Sequence, residues 1–173
     1  RLPLERERVR PLRLGAPPER AVPILVAALA PSSVRLAGEL ADGWLPFLWA
    51  RSRLSDGRAL LAEGEARAEA PSATRIAASV PLAIAEDEET SRQIAAGWLL
   101  AYLTRMGPLY PRLLSERFGF AHEVEALLAA NANGGPPRLP AAAERLARDV
   151  IVMGTYDEAP AAVRLWLEAG ADT

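Results

Sequence analysis

Residues 22–29, Val22-Pro23-Ile24-Leu25-Val26-Ala27-Ala28-Leu29, are an unbroken apolar run of strand length, and a helical pattern opened by Pro31 follows at once. Such a run has no polar face to show to water. A strand of this kind belongs in a parallel sheet covered on both sides, whereas a half-exposed strand would alternate apolar and polar residues. Proline is favoured at the first helical position, where its missing N–H is no loss. Val34, Leu36, Ala37 and Leu40 give the helix up to Ala41 a buried stripe. Asp42-Gly43 closes that helix, Asp42 fixing the turn through contacts with its own backbone. Trp44-Leu45-Pro46-Phe47-Leu48-Trp49 then reads as a second buried strand, completing a βαβ unit.

The alternation continues. Residues 52–70 are helical in pattern until Pro71-Ser72 breaks them, and residues 75–85 read as a third apolar strand. Asp87 is placed to cap a helix with the acidic first turn Glu88-Glu89-Thr90. That helix, over 90–106, carries Ile94, Trp98, Leu99 and Leu103 and so needs cover on more than one side. Residues 107–139 stand outside the repeating pattern as an insertion, with helical stretches at 111–118 and 121–130 and a mobile loop at 131–137. Helices are predicted again over 140–149 and 156–169, the second opened by Thr155-Tyr156-Asp157-Glu158, which matches a capping box. Ala171 would start a fourth strand. Residues 1–20 read as a connector, and residues 1–173 as one domain.

Buried strands alternating with amphipathic helices call for an α/β fold, either a (β/α)8 barrel or a doubly wound sheet. A full barrel takes about 250 residues. A chain of 173 residues with three strands and the beginning of a fourth would hold less than half of one. The chain begins without methionine and ends where a strand begins, so the expectation is a sequence cut at both ends, with further βα units upstream. Unpaired strand edges would then make the segment prone to aggregate when isolated.

Composition narrows the chemistry. With 20 basic and 22 acidic residues the formal charge is -2, so there is no basic excess for nucleic acid or an anionic membrane surface. The sequence contains no lysine, which removes Schiff-base and P-loop lysines, and no cysteine, which removes disulfides, thiolate nucleophiles and iron–sulfur clusters. Its one histidine, His122, lies beside Glu123 and Glu125 in a helical stretch and reads as a surface residue; no metal site is expected. The longest apolar runs fall short of the ~20 residues of a membrane span, and the charged first residues do not read as a signal peptide. The cytoplasm is the expected compartment.

Helix N-termini expose backbone N–H groups, and Ala30, before Pro31, is a poor cap for them. Such donors can hold an anion. The competing reading is that the hydroxyls of Ser32 and Ser33, or water, complete the cap. Pro46 cannot donate to a ladder and marks a strand end or bulge. Its neighbours Phe47 and Trp49 either face a planar ring or pack in the core. Arg105 at the edge of the insertion, and Arg112 and Arg117 within it, either grip a ligand as part of a lid or are solvated on amphipathic helices.

Four stretches together resemble one family. They are Pro23-Ile24-Leu25-Val26-Ala27-Ala28-Leu29-Ala30-Pro31, Leu36-Ala37-Gly38-Glu39-Leu40-Ala41-Asp42-Gly43-Trp44-Leu45, Ala77-Ala78-Ser79-Val80-Pro81-Leu82-Ala83-Ile84-Ala85-Glu86-Asp87, and Met153-Gly154-Thr155-Tyr156-Asp157-Glu158 leading to Ala169-Gly170-Ala171-Asp172. In this order they resemble the luciferase-like monooxygenase superfamily, in its branch of oxidoreductases that use the deazaflavin coenzyme F420. The resemblance implies a partial (β/α)8 TIM barrel, about strands five to seven with the start of strand eight. It also implies hydride transfer between coenzyme F420 and a small organic substrate, and a homodimer when full length. Binding of FMN by a monooxygenase of the same fold is the alternative cofactor reading, and a non-catalytic α/β binding module the alternative outside enzymes. The cofactor contacts implied here are Ala27, Ala28, Leu29, Ala30, Ser32, Pro46 and Phe47, the family usually carrying glycine where Ala30 stands. Catalytic residues are expected in earlier strands, and none is assigned in this chain.

Overall fold

The computed structural model of the chain describes residues 15, 20, 22–69 and 72–173; the expected connector over 1–20 lies almost wholly outside them. The described elements run β1 (Leu25–Val26), α1 (Pro31–Leu40), β2 (Gly43–Trp44), α2 (Leu54–Glu65), β3 (Arg75–Ile76), β4 (Leu82–Ala85), α3 (Glu88–Thr104), α4 (Leu109–Arg112), α5 (Ala121–Ala130), α6 (Glu144–Val150), β5 (Val152–Thr155) and α7 (Ala159–Glu168). All strand pairs are parallel: β1 with β2 and β2 with β3, Leu25 opposite Gly43 and Gly43 opposite Arg75, and β4 with β5, Leu82 opposite Val152. The α/β class with parallel sheets is as expected.

The third predicted strand is split. Over 75–85 the chain changes neighbour, the N–H groups of Ala77 and Ser79 reaching the carbonyls of Trp44 and Pro46, while the Pro81 carbonyl accepts the Val152 N–H. Pro81 supplies no N–H, and the ladder stops there. Strand β5 is a further departure, since Ile151-Val152-Met153 between two helical patterns is too short a run to show periodicity. Residues 171–173 do lie along the open side of β3, the Asp172 N–H on the Ile76 carbonyl and the Ala78 N–H on the Thr173 carbonyl.

The expected double burial of the first strand is not observed. Val22, Ile24 and Leu25 are exposed, because no described element lies on the outer side of β1. In α1, Val34, Ala37 and Gly38 are buried, whereas Leu36 and Leu40 face outward. Two glycines decide which face turns in. A Cβ on Gly38 would overlap the Leu61 carbonyl, and one on Gly64 would overlap the Arg35 carbonyl, so α1 and α2 touch backbone to backbone. The core beneath them is built on Trp44, Trp49, Leu54, Leu61, Ile76 and Leu99. Helix α3 buries Leu99 and Leu103 but leaves Ile94 and Trp98 each 38% exposed, so its cover is less complete than expected.

Polar groups fasten these layers. Asp42 acts differently from expectation, its Oδ2 accepting the Ile24 N–H of the neighbouring strand at 2.8 Å. Asp172 does the same for Ile76 at 2.7 Å. The buried Ser91 hydroxyl donates to the Ala83 carbonyl at 2.7 Å and accepts the Gly154 N–H at 2.9 Å, joining α3 to β4 and β5. The loop over 131–137 is closed at its base, where the Asn131 side chain donates to the Leu127 and Arg138 carbonyls and accepts the Arg138 N–H.

Candidate functional site at the mouth of the sheet

In parallel sheets the strand C-termini and the starts of the following helices gather at one end, where ligands bind. The helices leaving that end differ in how their first N–H groups are met. Asp87 caps α3 as predicted, Oδ1 accepting the Thr90 N–H at 2.8 Å and Oδ2 the Thr90 hydroxyl at 2.7 Å. Those bonds hold its carboxyl below the ordinary range. In the turn that opens α7, Glu158 accepts the Thr155 N–H at 2.9 Å, the glutamate half of the predicted box. The turn before α2 is met from a distance by Asp149 of α6, which accepts the Ser52 N–H at 3.1 Å and the Ser52 hydroxyl at 2.5 Å.

Helix α1 has no carboxylate at its start. Like α2 and α7 it has no side-chain cap, and its first turn holds no acidic residue. Ala30 has φ −71° and ψ 141°, the extended geometry of an N-cap without an acceptor side chain. Beside it opens a cleft of about 320 Å³ lined by Leu29, Ala30, Leu109, Arg112, Leu113, Glu116 and Arg117. The insertion therefore reaches the mouth, with Arg112 and Arg117 on the cleft, whereas Arg105 is exposed and not part of its lining.

The chain leading into α1 is held from two sides. The buried Trp44 indole donates to the Ala28 carbonyl at 2.8 Å, and the Arg117 guanidinium donates to the Leu29 carbonyl at 2.6 Å. The same guanidinium lies 4.4 Å above the Trp49 ring, and burial pushes it below its ordinary pKa. Trp49 is fixed in turn by its own N–H on the Arg53 carbonyl at 2.8 Å and by edge contact with Trp44 at 4.8 Å.

Of the residues expected at a cofactor, Leu29 and Ala30 line this cleft. Ala27 is exposed, Ala28 is buried, and Ser32 is exposed in the first turn of α1. Pro46 is buried and ends the regular strand, its carbonyl accepting the Ser79 N–H at 2.9 Å. Phe47 stands apart from the cleft, packed 4.9 Å from Tyr102 and 6.3 Å from Tyr110. Burial, with Tyr102 adding to it, pushes the Tyr110 phenol up. His122 is exposed, as a surface residue would be. Trp44, Leu109, Leu113 and Glu116 were not foreseen at the mouth; the apolar positions of the insertion were the only signal for two of them.

Residues 4–173 match the profile of the luciferase-like monooxygenases. The chain belongs to that family. A protein of Mycobacterium tuberculosis named as a coenzyme F420-dependent oxidoreductase is 28% identical over 162 residues, covering 86% of this chain and 45% of that protein. The coenzyme F420-dependent tetrahydromethanopterin reductase of Methanopyrus kandleri superposes with a TM-score of 0.60 at 21% identity, over 87% of this chain and 43% of that one. At that identity the likeness speaks for the fold. This luciferase-like chain thus spans less than half the length of the relatives it matches. Among its described residues no helix is long and apolar enough to cross a membrane.

Proposed function

We propose that this luciferase-like chain is part of an oxidoreductase that transfers a hydride between coenzyme F420 and a small organic substrate, and that the α1 start and its cleft receive the coenzyme's phosphate. The carrying observation is the contrast at the mouth: α2, α3 and α7 each have a carboxylate at their opening turn, while α1 has none and faces a cleft where Arg112 and Arg117 outnumber the one acid, Glu116. A carboxylate there would repel an anion. Its absence leaves the Ser32 and Ser33 end of α1 open to one, favoured by the helix dipole.

The residues present fit a phosphorylated coenzyme. Leu29, Leu109 and Leu113 supply apolar wall, and Arg112, on the exposed rim, supplies a charge free to turn toward a phosphate or carboxylate. The Ala30 methyl is compatible with phosphate on the N–H groups further along the turn. Bound deazaflavin supplies the hydride chemistry, and this chain supplies orientation and charge. In the same reading the strands are about the fifth to eighth of a TM barrel in a homodimeric protein, and Phe47 belongs to the aromatic wall behind the mouth.

Titration of the purified full-length protein with coenzyme F420 tests this, followed by coenzyme fluorescence and by competition with inorganic pyrophosphate. Saturable binding that pyrophosphate weakens is expected, with a roughly tenfold rise in Kd for Arg112→Ala. Copurification of FMN with no affinity for the deazaflavin would overturn it in favour of a flavin monooxygenase.

A further inference from the structure

The geometry points to Arg117 as a positioning residue: it clasps the insertion to the Leu29 peptide and so sets the aim of the open α1 start. This rests on the reading above for its ligand, but not for the clasp itself. Residues Leu113–Arg117 are wound as a π-helical turn, the Phe118 N–H reaching back to the Leu113 carbonyl at 3.0 Å. Such widened turns displace a side chain from the ordinary helical track. Here the displaced end of the turn carries a guanidinium that crosses to the Leu29 carbonyl, 88 positions earlier, at 2.6 Å.

Three contacts fix the arginine in this pose: the carbonyl, the Trp49 face at 4.4 Å and the Phe118 ring at 5.7 Å. No carboxylate within ion-pair distance holds it among the described residues. Its charge is therefore kept at the mouth by a neutral acceptor and two aromatic rings. Trp44 already takes the preceding carbonyl, of Ala28. Two consecutive peptides before Ala30 are thus oriented by side chains from other elements, Trp44 from β2 and Arg117 from the insertion. The second of them ties the insertion to the anion-receiving turn, so an ordered insertion and an aimed α1 start come as one unit.

Hydrogen exchange of the ligand-free full-length protein, wild type against Arg117→Met and Arg117→Lys, reads the clasp directly. Methionine keeps apolar contact with Trp49 and loses the donor; lysine keeps a charged donor. Faster exchange both at Val34, whose N–H is held by the Ala30 carbonyl at 2.9 Å, and over 113–118 is expected in Arg117→Met and its reversal in Arg117→Lys, because the hydrogen bond and not the packing makes the coupling. Coenzyme F420 affinity should follow, roughly tenfold weaker in Arg117→Met and close to wild type in Arg117→Lys. Unchanged exchange at Val34 in Arg117→Met, or a methionine variant that binds as well as wild type, would overturn the inference. If wild type binds no deazaflavin, the proposed function fails, and the exchange data still decide whether the clasp exists.

Discussion

Helices α1 and α3 both leave the C-terminal end of a parallel strand, yet their first turns are finished in opposite ways. Helix α3 starts on Asp87, whose two oxygens meet the N–H and hydroxyl of Thr90. Helix α1 starts on Ala30, with no cap and no acid. A cap of this kind adds stability where it fits, and α3 has it while α1, like α2 and α7, does not; α1 also has no carboxylate at or before its first turn. The rest of α1 is the reverse of loose. Its middle lies against α2 with no room for a methyl at Gly38 or Gly64, and the carbonyls before it are held by Trp44 and Arg117. The open start is rigidly mounted, as the proposed anion site would require.

The most damaging way to break that contrast is to loosen the mounting. In Gly64→Ala the new methyl would run into the Arg35 carbonyl, a backbone atom that cannot swing aside. Alanine is the better helix former by up to about 1 kcal/mol, but overpacking at a backbone contact costs about 3 kcal/mol, and the clash wins. Denaturant unfolding of the full-length protein should show this loss, and coenzyme affinity should fall with it as α1 shifts. An alanine variant as stable as wild type would mean that the helices are not in backbone contact.

Local signals in the sequence were read correctly where one turn carries the whole message. Pro31 opens α1 and Asp87 caps α3; of the box expected to open the helix at 156 only the Glu158 to Thr155 contact forms, and α7 starts at Ala159. Arg112 and Arg117 were candidates for the lid, and both reach the cleft. What could not be read depends on distance along the chain. Asp149 meets Ser52 across 97 positions and Arg117 meets Leu29 across 88, and no periodicity encodes either. The apolar character of Leu36 and Leu40 points them inward, but the close approach at Gly38 turns the other face in. The π turn at Leu113–Arg117 has an ordinary helical composition, so its extra width shows only in the fold.

A smaller effect separates the two kinds of helix start by pH. Asp87 is held below its ordinary pKa by the Thr90 N–H first and the Thr90 hydroxyl second, and Glu158 by the Thr155 N–H and hydroxyl in the same order. A carboxylate depressed in the folded state stabilises above its unfolded pKa, about 3.9 for Asp and 4.3 for Glu, and that contribution is lost as pH falls through the folded value. The starts of α3 and α7 should therefore lose exchange protection, corrected for intrinsic rates, between pH 5 and pH values below about 4. The start of α1 has no carboxylate to lose and should change less. Equal loss at all of these helix starts would mean that acid acts on the fold globally and the caps contribute nothing local.

The smallest change tests the contrast most directly, by giving α1 what α3 has. Ala30 already adopts the extended geometry that an N-cap requires, so Ala30→Ser can place a hydroxyl on the N–H groups of the first turn without moving the backbone. Stability should rise by about 1 kcal/mol, visible as a higher Tm. Affinity for coenzyme F420 and for pyrophosphate should fall, because the hydroxyl now occupies donors that an anion would take. These two shifts in opposite directions distinguish a kept-open site from a merely imperfect helix. A serine variant that gains stability and binds the coenzyme as well as before would show that the bare start of α1 is only a missing cap, and that the phosphate lies elsewhere.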